Sequence, residues 1–298
     1  MEAGDALAPV PKRSVGRWLA GLFHRRPRLQ VSTLLAAPVG WLVVGYLGSL
    51  VVLLAAAFWT VDPVTGLVSQ NLSADNFKTL INTPVYVDVA WRTVRTAALV
   101  TITDAILAFP IAFYMAKVAG RKTKAVLVVA VLMPLWSSYL VKVYAWRTIL
   151  SSGGILNWAL GPLGIHGPGY GTTAVWLVLS YLWLPYMIIP IFAGLERIPD
   201  SLLSASEDLG AGPFTTFRRV ILPLAFPAVV AGSIFTFALS LGDYITPRLV
   251  SSTQFIGTVV YQNITNNLPL ASAYATVPIV VMVAYLLVAR RLGAFEHL

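Results

Sequence analysis

Apolar runs of about 20 residues recur along the whole chain and constrain its fold more than any other feature of the sequence. A helix needs roughly 20 apolar residues to cross the ~30 Å hydrocarbon core of a bilayer. Of the 298 residues, 57% are hydrophobic and 11% charged, against about 25% charged in ordinary soluble domains. The sequence therefore predicts an all-α membrane protein with six transmembrane helices, near residues 33–59, 90–116, 125–149, 173–195, 223–243 and 271–290.

The six predicted spans form one membrane domain over residues 31–292, between a basic tail (1–30) and a short tail (293–298). The basic tail leads into an apolar run that is too long for the core of a signal peptide, so we interpret this run as a retained span. The segment 60–89 is polar, and 150–172 is rich in Gly and Pro, as loops are. We expect these two segments on one side of the membrane.

Lys and Arg are distributed unevenly between the two sides. The N-terminal tail has six, residues 117–124 have four, residues 196–222 have three and the C-terminal end has two, together 15 of the 21. The positive-inside rule then places both termini in the cytoplasm. We expect the chain in the plasma (inner) membrane. The same split of the cations among four short segments argues against a nucleic-acid-binding surface.

The longest predicted cytoplasmic loop between spans, residues 196–222, has the signals of two short helices. Asp200 is the predicted N-cap of SLLSASEDL, with Pro199 outside the helix, and Gly210 is predicted to end it. Gly212 allows a turn, after which Pro213 suits the first position of a second helix, PFTTFRRV. Helices this short are marginal in water. They must therefore dock either on the chain's own bundle and the lipid surface or on a partner.

The 196–222 loop resembles the signature loop of ABC importer permeases, in which Glu-Ala-Ala is followed after three residues by Gly and nine further on by Ile-x-Leu-Pro. Ser204-Ala205-Ser206, Gly210 and Val220-Ile221-Leu222-Pro223 fill these positions. The resemblance implies that the first helix seats in a cleft of a cytoplasmic ATPase. The family's Glu is replaced here by Ser204, although Glu207 follows on the same helix face. The residues expected to couple to the ATPase are Asp200, Ser204, Ala205, Ser206, Glu207, Asp208, Gly210 and Pro223.

Further motifs extend the resemblance over roughly residues 35–290. MPLWSSYLVKVYAWRTIL, LPYMIIPIFAGLERIP, AGSIFTFALSLGDYITPRLV and LPLASAYA are similar to segments of the permeases of spermidine and putrescine importers. This resemblance implies the transmembrane domain of a type I ABC importer that carries a polyamine. Its partners would be a second, related permease, two copies of a cytoplasmic ATPase that bind ATP and Mg²⁺, and an extracytoplasmic substrate-binding protein. The chain itself contains no G-x-x-x-x-G-K-[ST] loop, so we expect no cofactor in it.

Ionisable residues inside predicted spans are candidates for the translocation pathway, because they are costly in lipid. Asp243 and Tyr244 lie between Gly242 and Pro247, and a carboxylate beside an aromatic ring suits the ammonium groups of a polyamine. Asp104 is a second candidate, although Thr101 and Thr103 offer it a local polar network instead. For both carboxylates an ion pair is the alternative.

Aromatic residues of the third predicted span form another candidate surface. Trp136, Tyr139, Lys142 and Trp146 follow one another at steps of three, three and four residues, which predicts one helical stripe. Such a stripe serves packing or an interfacial belt as well as a substrate site. Lys142 would repel a polycation and is expected to pair with Asp243 or to meet the binding protein.

Two other classes of function remain open from the residues alone. A stand-alone secondary carrier could use Asp104 and Asp243, but it would not need the 196–222 loop. A membrane-embedded enzyme would need a cluster of catalytic groups, whereas the three His are scattered at 24, 166 and 297 and there is no Cys. A permease for a different small solute is the alternative within the family.

Overall fold

A computed structural model describes residues 27–62 and 65–291 of the chain. Residues 1–26 of the predicted N-terminal tail (1–30) and the whole predicted C-terminal tail (293–298) lie outside the described residues. The chain divides into two compact units, Met1–Ala55 and Ala56–Leu298.

The described part of the first unit is helical. Helix α1 (Pro27–Trp41) passes through a π-helical turn (Leu42–Leu47) into α2 (Gly48–Ala56). Leu34–Ala56 is long and apolar enough to cross a membrane, and its large side chains are exposed, Trp41 by 81%. The run predicted near 33–59 is therefore a helix with an apolar surface on all sides, as a lipid-facing span requires.

Four long helices of the second unit match predicted spans. They are α4 (Pro84–Phe113, extended by a π-helical turn, Tyr114–Val118), α8 (Thr172–Glu196), α11 (Leu222–Gly242) and α14 (Leu268–Arg291). Helix α4 begins six residues before the predicted start, because Pro84 occupies its first turn, where a missing N–H costs nothing. Within the described residues, five helices can cross a membrane, or six if a bent pair counts as one span.

The bent pair corrects the prediction of a straight third span at 125–149. Helix α5 (Arg121–Trp136) ends at Ser137, and α6 (Tyr139–Leu150) begins after Ser138. The two helices meet at 91°. Pro134 lies in the last turn of α5, and the two serines have extended backbone. Apolar composition continues across this break, so hydropathy alone does not reveal it.

The connections contain several short elements. Strands β1 (Thr60–Val61) and β2 (Val68–Ser69) pair antiparallel, with Thr60 opposite Ser69, and α3 (Asp75–Asn82) follows. Helix α7 (Ile155–Leu160) runs into a 3₁₀ turn, Gly161–Leu163. Helices α12 (Ile245–Val250) and α13 (Ile256–Asn263), which the sequence reasoning did not predict, cover the region between α11 and α14.

The 196–222 loop contains α9 (Asp200–Asp208) and α10 (Pro213–Thr216). The predicted second short helix is not separate, because α10 continues through a π-helical turn (Phe217–Ile221) into α11. Pro213–Gly242 is thus one continuous helical segment of 30 residues. Any force on α10 would act directly on a membrane span.

The second unit has two distinct ends. We call the end with residues 117–124, the 196–222 loop and Arg290 the basic end; ion pairs from Lys117 to Asp200 and from Lys124 to Glu196 hold its segments together. We call the other end, with the β1–β2 hairpin and α7, α12 and α13, the hairpin end.

Helices α4, α8 and α11 pack against one another at the centre of the second unit. Towards the basic end their core contains Met115, Met187 and Ile191. Small residues allow α8 and α11 to approach closely: a Cβ atom added at Gly194 would collide with that of Ala228. Close packing through small residues is how helices associate in a bilayer, where the hydrophobic effect does not drive them together.

Candidate functional site

Helix α9 of the 196–222 loop ends in a Schellman motif. Gly210 has φ +78°, Ala211 N donates to Ser206 O at 3.0 Å, and Gly210 N donates to Glu207 O at 2.8 Å. These two bonds satisfy carbonyls that a helix end otherwise leaves unpaired. The predicted helix end at Gly210 is confirmed, as is Pro213 at the start of the next helix.

The start of α9 differs from the prediction by one residue. Pro199 is the N-cap, and Asp200 is the first helical residue, with no capping bond from its side chain. Its carboxylate instead accepts a bond from Lys117 Nζ at 2.8 Å, and the same ammonium group donates to Ile198 O at 2.5 Å. This hydrogen bond and the charge of Lys117 hold the pKa of Asp200 below its usual value. The beginning of α9 is therefore fixed to the end of the α4 span.

Ser206 and Thr216 connect the two limbs of the 196–222 loop. Both side chains are buried, and their hydroxyl groups lie 2.9 Å apart in a hydrogen bond. A buried hydroxyl pair of this kind contributes on the order of 1 kcal/mol. Ser206, one of the residues predicted to couple to an ATPase, thus holds α9 against α10 and is not itself available at the surface.

The outer surface of the loop is apolar in its centre and acidic beside it. Leu209 is 88% exposed and Phe214 is 73% exposed, and Glu207 and Asp208 are exposed next to them. The two apolar side chains lie on either side of the Gly210 turn, on limbs that Ser206 and Thr216 hold together. An exposed apolar surface with charged residues at its edge is typical of a protein–protein interface.

Other predicted coupling residues also lie at this surface. Ser204 and Ala205 are exposed, and Ser204 Oγ donates to Asp200 O at 3.3 Å. Its hydroxyl thus bonds back into the helix, as serine in helices commonly does. Pro223 lies exposed in the first turn of α11. Ser204 offers no charge at the position where the resemblance would place Glu. The exposed carboxylates of Asp200, four residues before it, and Glu207, three residues after it, lie on the same helix face.

At the hairpin end, Asp243 lies in a hydrogen-bond network. Its Oδ2 accepts a bond from Tyr139 Oη at 2.5 Å, and its Oδ1 accepts bonds from the backbone N–H groups of Ile245 and Thr246 at 2.9 and 3.3 Å. Tyr139 Oη also lies 2.8 Å from Thr246 Oγ1. Asp243 therefore caps α12 and joins it to α6, and both of its oxygens are engaged.

Aromatic side chains surround this network in two stacks. Tyr139 stacks on Trp183 of α8 with 5.9 Å between ring centroids. Tyr244 stacks on Tyr261 of α13 at 4.9 Å, and the Arg248 guanidinium lies 4.6 Å from the Tyr261 ring centre. Trp183, Tyr261 and Arg248 were not predicted, since sequence spacing gives no sign that α8 and α13 meet at Asp243.

The predicted aromatic stripe of the third span is divided by the bend. Trp136 lies on α5 and is 81% exposed, whereas Tyr139 and Trp146 lie on α6, where Trp146 contacts Tyr181 at 5.4 Å between ring centroids. Lys142 does not pair with Asp243; its Nζ donates to Pro134 O at 3.0 Å. The bend therefore turns Lys142 back onto the end of α5.

Asp104 is enclosed within the centre of the second unit. It is 0% exposed, and neither of its carboxylate oxygens has a hydrogen-bond partner among the described residues. Thr101 donates to Ala97 O and Thr103 accepts from Trp176 Nε1, so the expected threonine network does not reach it. Asp104 therefore lies inside the second unit and not on its surface.

Among the described residues no group of three or more His, Cys, Asp and Glu side chains could hold a metal ion. The structure thus has two candidate sites. One is the exposed apolar surface of Leu209 and Phe214 at the basic end, and the other is the cluster of aromatic residues around Asp243 at the hairpin end. Long spans connect the two.

Comparison with known proteins is consistent with this arrangement. The chain is 44% identical to the inner membrane ABC transporter permease protein YdcU of Escherichia coli (strain K12), over 94% of this chain and 95% of that protein. It is 31% identical to the spermidine/putrescine transport system permease protein PotB of Haemophilus influenzae, over 83% and 88%.

Two solved structures show the same fold. A chain of a bacterial alginate ABC transporter, crystallised with an alginate pentasaccharide-bound periplasmic protein, superposes with a TM-score of 0.69 at 17% identity, over 90% of this chain and 96% of that one. A chain of the MetNI methionine ABC transporter gives 0.56 at 16% identity, over 71% and 96%.

Residues 90–295, more than two thirds of the chain, match the family described as binding-protein-dependent transport system inner membrane component. The chain belongs to this family and is a multi-pass membrane permease subunit of an ABC importer.

Proposed function

We propose that this chain forms one half of the translocation pathway of an ATP-driven polyamine importer in the plasma membrane. A second, related permease would supply the other half, because six spans enclose only one side of a passage. Both termini and the basic end would face the cytoplasm. The hairpin end would then receive the solute from an extracytoplasmic binding protein.

The geometry of the 196–222 loop carries the proposal. Lys117 fixes the start of α9, Ser206 and Thr216 join α9 to α10, and α10 is continuous with the α11 span. Leu209 and Phe214 remain exposed on this rigid unit. A cytoplasmic ATPase that binds the two apolar side chains would therefore move a span directly, and one ATPase copy would bind each permease half.

The hairpin end supports a cationic solute. Asp243 lies among Tyr139, Tyr244 and Trp183, and aromatic faces beside a carboxylate attract ammonium groups. The 31% identity to a spermidine/putrescine permease agrees with this chemistry. The proposed pathway residues are Trp136, Tyr139, Trp146, Tyr244 and Asp243. Asp104 is enclosed and would influence the pathway from inside this permease half.

Transport would proceed by alternating access. Closure of the two ATPase copies, which bind ATP and Mg²⁺, would push α9 and α10 and open the cavity between the permease halves to one side at a time. This chain would position and pass the solute without forming a covalent bond. The competing functions are a permease for another small solute and a stand-alone carrier. Measurements of polyamine uptake and of ATPase co-purification distinguish the three.

The experiment reverses the acidic rim of α9. We expect the Glu207→Lys, Asp208→Lys double variant, expressed with its partner subunits in cells that lack other polyamine uptake, to take up labelled putrescine or spermidine at least tenfold more slowly. Less ATPase should also co-purify with it. The matched control is Asp88→Lys, an exposed acid of α4 near the hairpin end, which should retain the ATPase.

The outcomes are distinct. Unchanged ATPase recovery and uptake in the double variant would remove the coupling role of these two acids. ATPase recovery without polyamine uptake by the unmodified complex would indicate another solute. Uptake by the purified chain alone in proteoliposomes without ATP would overturn the importer function in favour of a carrier.

A further inference from the structure

A cavity of about 290 Å³ lies between α4 and α8 near the hairpin end, and none of its lining residues belongs to the 196–222 loop or to the Asp243 network. It is lined by Arg95, Thr96, Leu99, Thr172, Thr173 and Trp176. No carboxylate lines it. Its polar groups are one guanidinium, three hydroxyls and one indole, and the indole Nε1 is already engaged with Thr103 Oγ1 at 3.0 Å.

Thr96 behaves differently from its neighbours on α4. Thr93 and Thr101 both donate to the carbonyl four residues earlier, at 2.8 Å, as threonines in helices commonly do. Thr96 is 4% exposed, and its hydroxyl has no hydrogen-bond partner among the described residues. Thr96 lines the cavity, so its hydroxyl can form a hydrogen bond with a polar ligand there.

Arg95 supplies positive charge at the same place. It forms no ion pair with any described acid, whereas Arg92, one turn away, donates to Gln254 O at 3.0 Å. The cavity also touches Thr172, the first residue of the 25-residue helix α8. The unpaired N–H groups and the dipole of a helix N-terminus favour negative charge. Guanidinium, hydroxyls and helix amides together fit an oxyanion, and phosphate above all.

The position of the cavity indicates where that phosphate comes from. Thr172 marks the end of a membrane span, and Trp176 lies one turn deeper, where tryptophan is enriched at membrane interfaces. From the cavity an exposed apolar stripe runs along α4 towards the membrane centre: Leu99, Ile102 and Ile106, exposed by 47%, 56% and 67%. Their spacing of three and four residues places them on one face, beside which an acyl chain can lie.

We propose that the Arg95 cavity is a binding site for an anionic phospholipid of the leaflet at the hairpin end. Arg95 and the hydroxyls of Thr96, Thr172 and Thr173 hold the headgroup phosphate, and the Leu99–Ile102–Ile106 stripe holds one acyl chain. Bound lipid would fasten α4 to α8, two of the three central helices, at the outer limit of the membrane core.

Native mass spectrometry of the purified permease with its co-purifying subunits tests the proposal. Phosphatidylglycerol, diacylglycerol with the same acyl chains and inorganic phosphate are titrated separately. We expect the unmodified chain to retain one phosphatidylglycerol at least fivefold more strongly than the Arg95→Gln variant. Thr96→Val, which keeps the side-chain shape, should lower retention about two- to threefold. Arg147→Gln, at another exposed arginine near the hairpin end, is the matched control and should bind as the unmodified chain does.

Every other result counts against the lipid site. Equal retention by Arg95→Gln and the unmodified chain would exclude Arg95 as the phosphate ligand. Equal retention of diacylglycerol would show that the acyl groove alone binds, and saturation by inorganic phosphate without preference for the lipid would indicate a free-anion site. If Arg95→Gln fails to assemble, Thr96→Val decides: no loss of phosphatidylglycerol in that variant overturns the proposal.

Discussion

Asp243 illustrates how much the role of a single side chain depends on its surroundings. The residue type and the Gly-Asp-Tyr setting predict a cation ligand, but both carboxylate oxygens already accept hydrogen bonds, from Tyr139 and from the first amides of α12. An arriving ammonium group must displace or share one of these bonds. If the bond from Tyr139 is lost, the two bonds from the backbone amides still cap α12.

Gly210 is the residue whose backbone conformation decides the shape of the 196–222 loop. We expect Gly210→Ala to cost about 1–2 kcal/mol, because an L side chain is strained in the left-handed region, and its φ is +78°. Hydrogen exchange should show it: the Ala211 amide, which donates to Ser206 O, should exchange roughly tenfold faster.

Gly212→Ala is the matched control for this substitution. It lies in the same turn at φ −70°, and a Cβ atom added at either glycine meets no atom within 4 Å. Only the backbone conformation therefore distinguishes the two positions. Equal exchange rates in both variants would show that the Schellman motif does not limit opening of the loop.

At the scale of elements, two features distinguish this bundle from a set of straight spans. The α5–α6 bend of 91° frees the carbonyl of Pro134, which accepts hydrogen bonds from Ser137 Oγ at 2.9 Å and from Lys142 Nζ at 3.0 Å. A carbonyl freed within a membrane requires such a partner. The second feature is the close contact between α8 and α11, where Gly194 lies against Ala228.

The contact between α8 and α11 leads to a stability prediction. A Cβ atom at Gly194 would collide with Ala228 Cβ, so Gly194→Ala should force the two helices apart. Overpacking of this kind costs about 1–3 kcal/mol, and we expect a lower thermal unfolding temperature in detergent. Gly242→Ala, at the end of α11, adds a Cβ atom in open space and should leave that temperature nearly unchanged. A Gly194→Ala variant as stable as Gly242→Ala would contradict the close approach.

For the whole molecule, the chemical difference between its two ends makes the orientation testable. The chain has no Cys, so single-cysteine variants give an unambiguous signal. Lys122→Cys at the basic end should react with a membrane-impermeant maleimide only in inside-out vesicles. Ser152→Cys at the hairpin end should react only in intact spheroplasts; both side chains are exposed in the parent chain. The parent chain is the unlabelled control, and the reverse pattern would invert the proposed topology.

The sequence by itself determined five of the six spans and, in the 196–222 loop, the end of α9 at Gly210 and the start of α10 at Pro213. Hydropathy, prolines and glycines affect the conformation of the chain only within a few residues. Their effects can therefore be predicted from the local sequence. One residue at Pro199–Asp200 was misassigned, because Lys117, 83 residues away, competes for the Asp200 carboxylate.

The tertiary structure alone decided which side chains meet. Tyr139 reaches Asp243 across 104 residues of sequence, Arg95 lies beside the first residues of α8, and Asp104 is enclosed by its own half. None of these outcomes follows from periodicity, because each depends on the rotation and depth at which two helices pack. The bend after Trp136 belongs with them: the residues around it are apolar enough for a straight helix, and only contacts such as Lys142 to Pro134 fix the turn.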